Sequence, residues 1–203
     1  FEVVTGVQTC ALPIWRMCSM EDLLGECPIV AAVKDDDGLE KCISSESHVV
    51  FVLFGDLNSV PQIVGRLKSA GKTVFVHADL IEGLSPREAA VDYLIKNTQL
   101  DGIISTKLSL LRFAKAKGLM TIMRFFLIDS IAMENIKKMK NERCIDLIEI
   151  LPGLMPKIIS RVCKNSGKKI IAGGLISDKS DVLSALDAGA LAVSSTNSAV
   201  WNL

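Results

Sequence analysis

Ile170-Ile171-Ala172-Gly173-Gly174-Leu175-Ile176-Ser177-Asp178 and, one helix later, Ala190-Leu191-Ala192-Val193-Ser194-Ser195-Thr196-Asn197 are built alike: a short apolar strand stops at glycine or serine and hands over to a helix. Small residues at both stops leave backbone N–H groups facing outward at adjacent strand ends, which is the chemistry of a phosphate cradle. In a (β/α)8 barrel the loops after the last two strands commonly hold phosphate, on the face where function sits. The two stretches therefore predict a barrel and a phosphate site together.

Outward from this pair, the same unit recurs from Pro28 onward. Apolar strands are expected at 29–33, 49–53, 73–76, 101–106, 120–123 and 147–150, each followed by a polar or glycine-bearing stop and an amphipathic helix. The run at 49–53 is apolar throughout, as in a strand buried on both faces, and Val60, Ile63, Val64 and Leu67 keep the helical period after it. Ser85-Pro86-Arg87-Glu88 combines an N-cap serine, a first-turn proline and a capping glutamate, so a helix is expected to start there. The helix between the two opening stretches is expected to turn Val182, Leu183 and Leu186 inward. About eight strands joined by short connections make an α/β chain and a compact (β/α)8 TIM-like barrel, one domain over residues 20–203. An open doubly wound sheet is the competing arrangement, but it gives no reason for polar residues at nearly every strand end.

Composition narrows the functional classes. With 203 residues and 49% hydrophobic side chains, one domain can bury a full core, although barrels usually run longer. Twenty-three basic residues balance 23 acidic ones, so no global field attracts nucleic acid or anionic membrane, and any such contact must be local. The six cysteines show neither CxxC pairing nor disulfide-framework spacing, and no run approaches a membrane span, so a reduced, cytoplasmic protein without a membrane partner is expected. Val7-Gln8-Thr9-Cys10-Ala11-Leu12-Pro13-Ile14 back-translates to codons that resemble a short-read sequencing adapter. Residues 1–19 are accordingly expected to be an adapter-derived or disordered segment, with the native start at Met17 or Met20.

A barrel would gather Lys34, Asp56, His77, Asp79, Ser105, Arg124, Glu149, Gly173 and Ser194 at one mouth. His77 precedes Ala78-Asp79 on the same strand face, placed either to exchange a proton or bond a ligand hydroxyl, or to satisfy a backbone carbonyl. The planar fork of Arg124 suits an anionic or hydroxylated ligand end, and Glu149 is either a ligand contact or the partner of Arg124. The other histidine, His48, falls at the opposite end, no HxH or HxxxH pairing exists, and no Walker loop, GxGxxG or GxSxG occurs. Neither a metal site nor a catalytic nucleophile is therefore expected. Basic clusters occur at Arg112-Lys115-Lys117, Lys137-Lys138-Lys140-Arg143 and Lys164-Lys168-Lys169, with almost no aromatic residues between them.

Taken together, His77-Ala78-Asp79-Leu80-Ile81-Glu82-Gly83-Leu84, Asp101-Gly102-Ile103-Ile104-Ser105-Thr106, Arg124-Phe125-Phe126 with Asp129-Ser130, Ile148-Glu149-Ile150-Leu151-Pro152-Gly153 with Pro156, and Ala172-Gly173-Gly174-Leu175-Ile176 resemble the glycerol-3-phosphate-responsive antiterminators of glycerol uptake operons. The likeness runs in order from Met20 to Trp201. It implies a barrel regulator without catalytic activity or cofactor, which binds glycerol 3-phosphate and the mRNA leader of a glycerol-uptake operon. A homo-oligomer is left open. Carried over by position, phosphate would sit at Gly173, Gly174, Ser194, Ser195 and Thr196, and the polyol would face His77, Asp79, Ser105, Arg124, Glu149 and Lys34. RNA contact is expected first at Lys137, Lys138, Lys140 and Arg143. The alternative is a barrel enzyme acting on a small phosphorylated polyol or sugar, which would want a lysine or paired carboxylates at the mouth. Lys34 is the only lysine at a strand end.

Overall fold

A computed structural model describes residues 20–85 and 87–203, so the expectations for residues 1–19 and for Pro86 fall outside the described residues. The elements alternate as α1 (Met20–Glu26), β1 (Ile29–Val33), α2 (Asp36–Ile43), β2 (Val49–Val52), α3 (Val60–Ser69), β3 (Thr73–His77), α4 (Glu88–Asn97), β4 (Gly102–Ser105), α5 (Leu108–Ala116), β5 (Met120–Phe126), α6 (Ser130–Lys138), β6 (Leu147–Leu151), α7 (Pro156–Ser166), β7 (Lys169–Gly173), α8 (Lys179–Asp187) and β8 (Ala192–Ser195). All neighbouring strands pair in parallel, and β8 returns to β1, closing the barrel. Closure removes the sheet edges that an open doubly wound arrangement would leave.

Strand parity divides the core in two. Val30, Phe51, Phe75, Ile104, Ile122, Leu147, Ile171 and Ala192 fill the interior, where Phe51 and Phe75 meet edge to face at 5.8 Å between centroids. The alternate residues, such as Val50, Val74, Ile148 and Val193, face outward and pack with the stripe Val60, Ile63, Val64 and Leu67 of α3 and its counterparts on the other helices. Met20 and Leu24 join the interior cluster, and only two residues separate α1 from β1. This short helix, which periodicity did not reveal, therefore closes the barrel at the N-terminal ends of its strands. At the other end of the chain, Trp201 is fully buried and its indole donates to the carbonyl of Ser195 at 2.8 Å.

Three local expectations change. Helix α4 begins at Glu88 with Arg87 in the cap position and no side-chain cap bond, and Ser85, whose carbonyl accepts from the Arg87 N–H at 2.7 Å, stays outside the helix. In α8 the buried residues are Val182 and Ala185, and Leu183 is 49% exposed: at about 100° per residue it falls on the flank rather than on the inward stripe. Strand β5 continues to Phe126, beyond the expected stop, and so carries Arg124 inside the sheet.

Candidate functional site

Where the interior reaches the C-terminal ends of the strands, its packing turns polar. His77 of β3, Arg124 of β5, Glu149 of β6 and Ser194 of β8 are all buried at this level. Arg124 and Glu149 are register partners, and Arg124 Nε donates to Glu149 Oε2 at 2.5 Å. The other carboxylate oxygen accepts from Ser194 Oγ at 2.6 Å. Gly173, the register partner of Ser194, makes room for this bond: a Cβ there would lie 2.3 Å from Ser194 Oγ and 2.8 Å from Glu149 Oε1. His77 Nδ1 is buried without a hydrogen-bond partner among the described residues. Burial, reinforced by the charge of Arg124 and only partly opposed by Asp79, lowers the His77 pKa to about 4, so the imidazole is neutral at pH 7.

Above this floor lies a cavity of about 270 Å³. Arg124, Glu149 and Ser194 form its base, Ala32, Leu53 and Leu151 its apolar wall, and residues 174–177 and 195–196 its rim. Gly174 and Leu175 are consecutive left-handed residues, with φ of 76° and 64°. The turn they make is anchored by a bond from Gly153 N–H to Gly174 O at 3.0 Å. The N–H groups of Gly174, Leu175, Ile176 and Thr196 have no acceptor among the described residues. Those donors belong to the turns themselves. The helix ends behind them are already capped, by Asp178 on Asp181 N and by Asn197 on Ala199 N.

Of the expected ligand residues, Gly174, Ser194, Ser195, Thr196, Arg124 and Glu149 line the cavity, with Gly173 just below it. The Ser195 hydroxyl is committed to the loop, donating to Ile176 O at 2.7 Å and accepting from Asn197 N at 3.0 Å. Asp79 and Ser105 bond each other outside the cavity. The Asp79 carboxylate accepts from Ser105 Oγ at 2.9 Å and from Thr106 N and Oγ1 at 2.7 and 2.8 Å. Burial would raise its pKa, but these bonds and the His77 charge together hold it below the usual carboxylate range. Lys34 is exposed in an adjoining depression of about 140 Å³, which shares Ala32 and Thr196 with the main cavity. Asp56 accepts from Asn58 N and Ser59 N and so organises its own loop. The apolar wall and Leu175 were missed from sequence, and the one available signal was a leucine directly after Gly173-Gly174 at a strand end.

The described residues at the mouth present neither a serine with a free base nor a desolvated lysine. Ser194 touches a carboxylate, but that carboxylate already holds Arg124, and a serine nucleophile needs a base free to take its proton. A Schiff-base lysine is typically desolvated, whereas Lys34 is exposed. Among the described residues no three His, Cys, Asp or Glu side chains converge as metal ligands.

The sequence profile of a family described as glycerol-3-phosphate responsive antiterminator matches residues 29–201. The uncharacterized protein YgcP of Escherichia coli (strain K12) is 44% identical over 181 residues, covering 89% of this chain and 95% of that protein. Among solved structures, a glycerol uptake operon antiterminator regulatory protein from Listeria monocytogenes superposes with a TM-score of 0.81 at 30% identity, over 86% of this chain and 95% of that one. A glycerol uptake operon antiterminator-related protein from Thermotoga maritima gives 0.74 at 31% identity, over 85% and 96%. Among the described residues no helix is long and apolar enough to cross a membrane.

Proposed function

Because this chain belongs to the glycerol-3-phosphate responsive antiterminator family, we propose that it is a cytoplasmic regulator whose mouth binds glycerol 3-phosphate and whose surface then engages the mRNA leader of a glycerol-uptake operon. The observation that carries the ligand half is the cavity itself: four acceptor-free backbone N–H groups on its rim over a floor of Arg124, Glu149 and Ser194. Rim donors suit phosphate oxygens, as preorganised N–H groups do in other anion sites. The glycerol hydroxyls then reach Arg124 and Glu149, with the neutral His77 beneath. At about 270 Å³ the space lies just below the ~300–1,000 Å³ of drug-sized sites, which favours a ligand of few atoms. Gly173 shapes the floor, Asp79 and Ser105 brace the neighbouring loop, and Lys34 adds positive charge at the shared edge near Thr196. No cofactor enters this reading, and neither does turnover.

Calorimetric titration with glycerol 3-phosphate, glycerol and inorganic phosphate tests it. Glycerol 3-phosphate is expected to bind at least tenfold more tightly than either fragment and to raise the melting temperature as RT ln(1 + [L]/Kd). Equal responses to all three ligands, or none, would remove the ligand half. Turnover of a phosphorylated polyol or sugar that is lost on substitution of Lys34 or His77 would favour the enzyme alternative.

A further inference from the structure

Resting on the regulator reading above, we propose that the RNA phosphate backbone docks on the outer face of α7 together with the turn that follows α6. Lys157, Arg161 and Lys164 are spaced by four and three residues, so they share one face of α7, and all three are exposed. The helix contains no acidic residue. The turn after α6 extends this face from a distant part of the sequence: the stem of Lys140 lies against Gly167, where an added Cβ would meet its Cγ at 2.8 Å, and Lys138 is exposed beside it. Two basic clusters separate in sequence thus become one surface.

The charge balance around the molecule singles out this face. Elsewhere on the helix ring many cations are neutralised, as at Arg66–Glu40, Arg112–Glu142 and Lys115–Asp146, and those without an ion pair among the described residues, such as Lys96 and Lys179, stand on different helices. Near the α7 face the Glu134 carboxylate pairs with Lys137 at 2.6 Å, which withdraws Lys137 from the expected RNA set, and although the carboxylate also feels the charges of Arg161 and Lys138 it forms no ion pair with either. Asp187 lies across the α7–α8 groove from Lys157 without an ion pair between them. A chain of zero net charge must concentrate its phosphate contacts, and among the described residues this face brings together five exposed cations without an ion pair, Lys138, Lys140, Lys157, Arg161 and Lys164. A protein partner would look for aromatic or apolar anchors, and α7 has no aromatic residue at all. The face is also carried by the right elements: α6 and α7 follow β5 and β6, the strands whose Arg124 and Glu149 form the ion pair under the effector cavity.

The test compares Lys157→Gln/Arg161→Gln/Lys164→Gln with a control triple, Lys41→Gln/Arg66→Gln/Lys96→Gln, on the α2–α4 side. Binding of the leader transcript of a glycerol-uptake operon is measured with saturating glycerol 3-phosphate over a salt series, and effector binding is measured on each variant. The α7 triple is expected to lose tenfold or more in RNA affinity and to lower the log–log salt slope by about two, at roughly 0.7 per single-strand contact. The control should change affinity less than twofold, and effector affinity should hold in both. The Lys164→Gln single variant, expected to lower the slope by about 0.7, keeps the test valid if the triple folds poorly. Wild-type RNA affinity in the α7 variants would overturn this inference alone, including the case in which these cations hold an acidic protein. Absence of leader binding by the effector-loaded wild type would instead overturn the regulator reading, and this inference with it.

Discussion

Arg124 and Glu149 face each other in register on β5 and β6, and their buried side chains meet at 2.5 Å directly beneath the candidate effector cavity. The pair neutralises the floor, and the second oxygen of Glu149 holds Ser194 in place. A ligand that bonds either partner must compete with the other, so occupancy of the cavity bears on the junction of two strands.

Removing one partner strands a buried charge. Glu149→Ala is therefore expected to destabilise the fold by about 3–5 kcal/mol, and Arg124→Met/Glu149→Leu to be more stable than either single change. Urea melts of the three variants check this. Additive losses in the double variant would mean that the two side chains do not act as a unit.

His77 gives a pH signature with a definite sign. Its folded pKa, about 4, lies below the ordinary 6.5, so the unfolded chain binds more protons between those values. The stability associated with the neutral imidazole is fully present above pH 6.5 and is lost as pH falls toward 4, up to about 3 kcal/mol in all. His77→Gln should flatten this part of the profile. Denaturation at pH 7, 5.5 and 4.5 measures it, and parallel profiles for variant and wild type would contradict it.

Two adjacent glycines should fail differently. In Gly173→Ala the new methyl collides with Ser194 Oγ and Glu149 Oε1, which disrupts the floor and lowers stability by about 1–3 kcal/mol. Gly174→Val forces a β-branched residue to a φ of 76° on the rim and should abolish effector binding while the chain still folds. Calorimetry of folded Gly174→Val decides the point, since unchanged affinity would move the phosphate elsewhere.

Trp201 locks the last loop of the site. Trp201→Phe keeps most of the packing but removes the 2.8 Å bond to Ser195 O, leaving a buried carbonyl short of its donor. The expected loss is about 1–3 kcal/mol. Effector affinity should weaken at the same time, because Ser195 and Thr196 form part of the rim. A melting temperature and affinity both equal to wild type would show that the loop does not depend on this bond.

The sequence by itself determined the barrel and the level of the site. Continuous apolar strands with glycine or serine stops can be buried on both faces only in a covered parallel sheet, and a side-chain period of two already places His77, Arg124 and Glu149 on single strand faces. These are local properties, readable from neighbours along the chain. Periodicity failed where the signal was short or shared: α1 is only seven residues long, and Leu183 sits on the edge of its helical stripe.

Only the tertiary structure decided which polar groups consume one another. Asp79 turns to Thr106 and Ser105, and Ser195 to Ile176, across neighbouring strand ends or their loops, while Ser194 of β8 reaches past β7 to Glu149 of β6. Hydrogen bonds are made or lost within a few tenths of an ångström, a precision set by strand register and by loops that meet only once the barrel closes. For the same reason Leu53, Leu151 and Leu175 became cavity walls, and Lys140 joined the cations of α7. Residue type announced that the mouth would be polar, and barrel closure selected the few donors there that remain free for a ligand.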